Sequence, residues 1–286
     1  MSEKKSGLAD KILNLPSEYL YGVTIILLFI SVIFPKIPLA SVSPYVENTY
    51  NWVNQNINPG DIVVFELGND FAYYISHMPG VTAVLNHVMD TAGQKGGKIR
   101  LIVIGHNVEH MLIWRYAQQG LLKQTMDKWG YTYGKDYANL GIVPGGDAGL
   151  YVFAKNPYVG EIDAYGTQLK TLEVMKDFKD INNVKLWVQG NWDTMPEIRQ
   201  ITGPYKTAYI FVGHPEAAVS SPIWVDSNQM TGFVAGWPGA QMYEFLVNKP
   251  GLASFGSMTI SVAYLILLVS IVICNILYLS KKVGGA

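Results

Sequence analysis

A single cysteine, Cys274, stands among the 286 residues. It lies inside a long apolar run, so no disulfide can form elsewhere in the chain and a small disulfide-stapled scaffold is excluded. Charge is also scarce. Charged residues make up 15% of the chain and apolar residues 49%, against about 25% charged in an average soluble domain. No basic cluster or aromatic–basic stripe occurs, and between Tyr45 and Pro250 stand 15 Lys/Arg and 19 Asp/Glu, a net of −4; nucleic acid is excluded as a partner. The nucleotide motifs are missing too. Where G-x-G-x-x-G would follow the first β-rich run the chain reads GNDFAY, and no G-x-x-x-x-G-K-[ST] occurs. No nucleotide or other cofactor is expected. The G-x-S-x-G nucleophile elbow is absent. So is any N-x-S/T sequon, which favours a prokaryotic cell envelope over a eukaryotic secretory route.

What is present begins with two apolar runs, YLYGVTIILLFISVIF at 19–34 and MTISVAYLILLVSIVICNILYL at 258–279. A bilayer core needs roughly 20 residues of apolar helix. The second run meets this without a charge. The first has 16 residues before Pro35 and Lys36, and spans if Tyr19 and Tyr21 sit at one interface while Lys36 snorkels at the other. It is long for a cleaved signal, and Phe34-Pro35-Lys36 is a poor cleavage site, although PLASVS at 38–43 keeps that alternative open. The expected organisation is an N-terminal tail (1–18), a transmembrane helix (19–34), a Pro-rich linker (35–44), an α/β soluble domain (45–250), a second transmembrane helix (256–279) and a basic tail (280–286). Lys4, Lys5 and Lys11 before the first span, and Lys281 and Lys282 after the second, outweigh Lys36 and Lys249 on the other side. An integral two-pass protein is expected, with both termini cytoplasmic and the soluble domain extracytoplasmic.

Between the runs, Ser43-Pro44 opens a short helix with Val46, Tyr50 and Val53 on one face. Five β-rich runs follow, at 61–67, 98–104, 138–143, 184–188 and 206–212. Most are continuously apolar, as suits strands buried on both faces of a parallel sheet. Helical periodicity appears over 79–94 and over 109–129, where Gly120 is a break. Thr194 and Glu197 read as a capping box opening a third helix, and 227–248 as a Gly-interrupted helical region. Strand–helix alternation predicts a Rossmann-like, doubly wound, mostly parallel α/β sheet of about five strands, flanked by the two transmembrane helices. Residues 145–183 break the rhythm and read as an insertion.

Each β-run ends in glycine followed by polar residues: Gly68-Asn69-Asp70, Gly105-His106-Asn107, Pro144-Gly145-Gly146-Asp147, Gly190-Asn191-Trp192-Asp193 and Gly213-His214-Pro215-Glu216. Open parallel sheets bind ligands beyond the carboxyl ends of their strands. Asn69, Asp70, His106, Asn107, Gly145, Gly146, Asp147, Asn191, Asp193, His214 and Glu216 are therefore the candidate ligand crevice. Ordinary turn chemistry accounts for the same residues.

Residues 106–110, HNVEH, resemble the H-x-x-E-H signature of a class of zinc peptidases. That chemistry needs His106 and His110 on one helical face, Glu109 beside the bound water, and a third ligand such as Glu161 or Glu173. His106, however, follows a strand-ending glycine, while His110 shares a buried stripe with Ile113, Trp114, Ala117 and Leu121. No metal site is expected. The two histidines are assigned to different environments, His106 to the crevice beside Asp70 and His214, and His110 to the core.

In the second transmembrane helix (256–279), Ser257, Ser261, Ser270 and Asn275 suit helix–helix association in lipid. The functional expectation is a non-catalytic scaffolding subunit of a homo-oligomeric membrane assembly, with the bilayer and copies of itself as partners. The alternatives are a membrane-bound enzyme using Asp70, His106 or His214 as acid or base, and, third, a zinc peptidase.

Overall fold

A computed structural model of the chain describes Ile12 and residues 15–33, 41–68 and 74–283. Lys4, Lys5, Lys11, Lys36, most of the expected linker, and Asn69 and Asp70 of the expected crevice lie outside the described residues, as do the side chains of Lys281 and Lys282. The chain divides into an α/β unit, Ser41–Ala253, and a helical unit, Met1–Ala40 with Ser254–Ala286.

The α/β unit is built on a six-stranded sheet: β1 (Ile62–Leu67), β2 (Arg100–Gly105), β3 (Tyr137–Ile142), β4 (Val184–Asn191), β5 (Ala208–Gly213) and β6 (Gly232–Ala235). Every pairing is parallel, in the order β3-β2-β1-β4-β5-β6. The chain lays β1 centrally, winds outward to β3, returns to set β4 on the other flank of β1, and winds outward again to β6. The order therefore reverses between β1 and β4, the place where such sheets open a crevice.

Two expectations change here. The sixth strand, GFVA, falls in the region read as helical; four residues are too few to show a period. Gly232 has a packing reason, since a Cβ there would stand 2.2 Å from Thr49 Oγ1 in the helix Pro44–Asn56. Residues 145–183 form the crossover that returns the chain from edge strand β3 to the centre. They hold the helix Gly146–Lys155 and three short 3₁₀ turns.

Period-two alternation sends successive side chains of each strand to opposite faces. On one face Val63, Phe65, Leu67, Leu101, Val103, Leu186 and Val188 pack with Val84, Val88, Trp114 and Tyr243 from the helices Tyr74–Gln94, His110–Tyr116 and Gly236–Leu246. On the other, Ile62, Val64, Ile102, Ile104 and Trp187 pack with Leu150, Phe153, Ile198 and Ile201. Cover on both faces is why the strands read as unbroken apolar runs. The helix expected over 109–129 is three pieces: His110–Tyr116, a π-helical turn Ala117–Leu121 that contains Gly120, and Lys123–Trp129.

At the C-terminus, Leu252–Leu279 is 28 residues long, and an 18-residue stretch of it has a mean hydropathy of 2.7. At about 1.5 Å per residue it is longer than the roughly 30 Å hydrocarbon core. Among the described residues it alone is long and apolar enough to cross a membrane. The helix Ser17–Ile33 has 17 residues, short of the ~20 a span needs, so two equivalent spans are not what the structure supports. Within the second apolar run Asn275 Nδ2 donates to the carbonyl of Ile271 at 2.9 Å. Ser257 is buried, and Ser261 and Ser270 are half-buried.

Candidate functional site

The run DIVVFEL carries one charge inside a strand that is buried along its whole length. Glu66 extends the row of Ile62 and Val64 and is fully buried. The parallel register sets it opposite Gln189 of β4 and Ile104 of β2. His106, just past β2, continues the row of Ile102 and Ile104. Side chains from three neighbouring strands thus converge on one face, at the carboxyl end of the sheet.

His106 Nε2 stands 2.9 Å from Glu66 Oε1. The other imidazole nitrogen, Nδ1, faces the carbonyl of Val143 at 3.3 Å. Trp187 Nε1 donates to Glu66 Oε2 at 2.6 Å, and Gln189 Nε2 donates to Glu66 Oε1 at 2.8 Å. Tyr209 holds Gln189 from beyond, its hydroxyl donating to Oε1, and Thr194 meets the same hydroxyl at 2.7 Å. Glu197, 1% exposed, completes the group. One donor atom each from Glu66, His106 and Glu197 lies within 4.8 Å of the others. The His106 side chain alone meets solvent, at 18% exposure against 0% for Glu66.

The charges are arranged unequally. Burial pushes the Glu66 carboxyl up, but the His106 charge and hydrogen bonds from His106, Glu197 and Gln189 outweigh it, and its pKa is lowered. Burial pulls His106 down, yet the Glu66 charge and hydrogen bond hold it above its ordinary value. Glu197 is raised well above the carboxylate range, by burial first and then by the adjacent Glu66 charge. The shifts favour the carboxylate at Glu66, the charged imidazole at His106 and the neutral acid at Glu197, and both His106 nitrogens face acceptors, Nε2 the Glu66 carboxylate and Nδ1 the Val143 carbonyl.

No protein family and no curated protein matches this sequence. The site is therefore read from its own chemistry.

The residues expected in the crevice have the following places. His106 has Glu66 as its partner; Asp70 lies outside the described residues. His214 lies against Trp192, with ring centroids 4.7 Å apart and the planes tilted by 31°, and has Glu216 Oε2 at 4.0 Å from Nδ1. Asp147 accepts from Arg199 Nε at 2.8 Å. Asp193 accepts from the Met195 amide at 3.0 Å, and Asn191 from the Trp192 amide at 2.7 Å, both local turn bonds. Gly145 and Gly146 adopt left-handed backbone at the start of the helix Gly146–Lys155. Asn107 is half-buried in the loop after β2. The strand-end glycines serve packing: a Cβ on Gly68 would stand 2.2 Å from Asn191 Nδ2, and one on Gly105 2.2 Å from His110 Nδ1.

His110 is fully buried, with Nε2 2.6 Å from Asn139 Oδ1. Burial lowers its pKa, opposite to His106, and the two histidines of HNVEH do occupy different environments.

Glu66, Gln189 and Glu197 are the residues that strand-end reasoning passed over. A signal was available for Glu66, since a carboxylate inside a continuously apolar strand needs a buried partner. Glu197 was hidden by its spacing from Thr194. The Thr194 side chain makes no cap hydrogen bond; its hydroxyl meets Tyr209, and Glu197 turns inward to Glu66 instead of back to the cap.

Proposed function

We propose that this chain is a membrane-anchored, Rossmann-like protein whose doubly wound domain works through a small-ligand site at the β1–β4 switch point. His106 is the acid–base group at its edge, Glu66 the buried counter-ion and Glu197 a neutral acid behind them. The observation that carries this reading is the Glu66–His106 pair with Glu197 beside it. Sequestering three ionisable groups is unfavourable unless they are tightly partnered, and strongly shifted pKa values gather where a site works on protons. Of the expectations drawn from sequence, this keeps His106 as acid–base residue and gives it Glu66 as partner.

The test is a binding screen of the full chain in mild detergent against small acids, phosphates, sugars and amines, run in parallel on His106→Gln. Ligands that bind the native protein and lose at least about tenfold in the variant, about 1.4 kcal/mol, support the site. A screen in which every binder is indifferent to His106 overturns it.

A second reading, a scaffold of identical subunits, is favoured by apolar side chains left in solvent on the segments that follow β2, β4 and β5: Val108 at 84%, Trp192 at 48%, Val219 at 87% and Ile223 at 64% exposure. Contact between copies would cover them. Light scattering in mild detergent decides this, and a clean monomer removes it. In either reading the Leu252–Leu279 helix anchors the chain, Ser17–Ile33 makes a second, shorter pass, and the α/β domain lies outside the cytoplasm. Protease protection of residues 45–250 in intact cells would reverse that orientation.

A further inference from the structure

We propose that Glu66, His106 and Glu197 form a binding site for one divalent cation of the Zn²⁺ or Mn²⁺ class. This deepens the strand-end reading and rests on it. The donor set is one imidazole nitrogen and two carboxylate oxygens, a mixture that suits borderline divalent ions rather than thiophilic ones.

Three observations carry it. The first is convergence: the three donor atoms lie within 4.8 Å of one another. Ligands at about 2.1 Å from a tetrahedral ion stand about 3.4 Å apart, so the 2.9 Å Glu66–His106 contact opens slightly on binding.

The second is the placing of Glu197. Its Oε2 is buried, on a residue that is 1% exposed, and its carboxyl is hydrogen-bonded to that of Glu66, a contact that two carboxyl groups keep only with a proton or a cation between them.

The third is the support around the ligands. Metal-bound histidines direct the second ring nitrogen to a carbonyl or carboxylate, and metal-bound carboxylates are themselves held by donors. His106 Nδ1 faces the Val143 carbonyl at 3.3 Å, which leaves Nε2 as the ligand nitrogen. Trp187 and Gln189 hold Glu66, and Tyr209 holds Gln189. His106, the partly exposed member, is where the cluster lies nearest solvent. His110 takes no part, being engaged by Asn139; the site uses one residue of HNVEH and not its pair.

The experiment uses the full chain in mild detergent, purified without a histidine tag and stripped with EDTA. Zn²⁺ and Mn²⁺ are titrated separately by calorimetry in two buffers of different ionisation enthalpy, and bound metal is counted by mass spectrometry. One ion per chain is expected, with net proton release, because ligands must lose protons to bind. Glu197→Gln is expected to bind at least about 100-fold more weakly while its melting temperature without metal is no lower than native, which separates a ligand role from a structural one. Trp187→Phe, which removes only a support, is expected to weaken binding about tenfold. No stoichiometric uptake by the native chain overturns the metal site, as does uptake that Glu197→Gln leaves unchanged. Failure here with success in the small-ligand screen leaves a metal-free acid–base crevice; failure of both removes the strand-end site altogether.

Discussion

His106 Nε2 lies 2.9 Å from Glu66 Oε1, joining an imidazole just past β2 to a carboxylate inside β1. Each group is tenable in its buried place because the other is there. The pair sits at the one end of the sheet where β1 and β4, neighbours in space, send their chains to opposite faces.

Glu66→Ala should therefore be severe. It leaves the His106 cation without a counter-ion and the indole and amide donors of Trp187 and Gln189 without an acceptor. Breaking one half of a buried pair costs about 3–5 kcal/mol. Chemical denaturation of metal-stripped protein at pH 6 measures it, and a loss under about 1 kcal/mol would show that the pair holds little together.

Glu197→Gln should act in the other direction. A carboxyl whose folded pKa is raised keeps a proton that the unfolded chain releases above its ordinary value of 4.5. The native protein consequently loses stability as pH rises beyond that value. Glutamine has no proton to lose, so the variant should match native near pH 4 and melt higher at pH 8. Each 1 kcal/mol is worth about 2–4 °C in a domain of this size. A variant that melts lower at pH 8 would mean that Glu197 is ionised in the fold.

The Glu66–His106 pair has its own pH window. Glu66 is depressed, so its contribution is present above 4.5 and lost as pH falls through the folded value. His106 is raised, so its contribution is present below 6.5 and lost as pH rises through the folded value. The window is about pH 4.5 to 6.5. His87 behaves oppositely. Burial lowers it to about 4, between Tyr243 Oη at 2.8 Å and Asn54 Oδ1 at 3.2 Å, so it takes stability away as pH falls below 6.5. Side-chain NMR of metal-stripped protein should find His106 more than half charged at pH 6.5 and His87 still neutral at pH 5. The reverse assignment would refute the electrostatics described for both.

Gly105→Ala tests the packing explanation of a strand-end glycine. The new methyl would meet the His110 ring at 2.2 Å, and His110 is buried and fixed by Asn139. Overpacking of this kind costs about 1–3 kcal/mol. His110→Ala in the same chain should recover much of it, a non-additivity expected of residues in contact. If the two losses simply add, the glycine is there for some other reason.

Much of the architecture was legible in the residues. Unbroken apolar runs marked strands covered on both faces, and five of the six strands stand close to where those runs fall. The assignment of His106 and His110 to separate environments followed from one ending a strand and the other joining the stripe of Ile113 and Trp114. The strand GFVA was too short to carry a period. The stretch 145–183 looked like an insertion because a crossover returning from the edge to the centre of a sheet is long and irregular.

By itself the sequence determined the parallel α/β class, the apolar C-terminal helix, and which side chains of each strand share a face, because those follow from local periodicity. It could not determine which strands are neighbours or in what register, because parallel partners are separated by whole helices and loops. That decision belongs to the tertiary structure. Setting β4 beside β1 with Glu66 opposite Gln189, and turning Glu197 inward, is what makes one buried group of three residues that lie 131 positions apart along the chain, from 66 to 197.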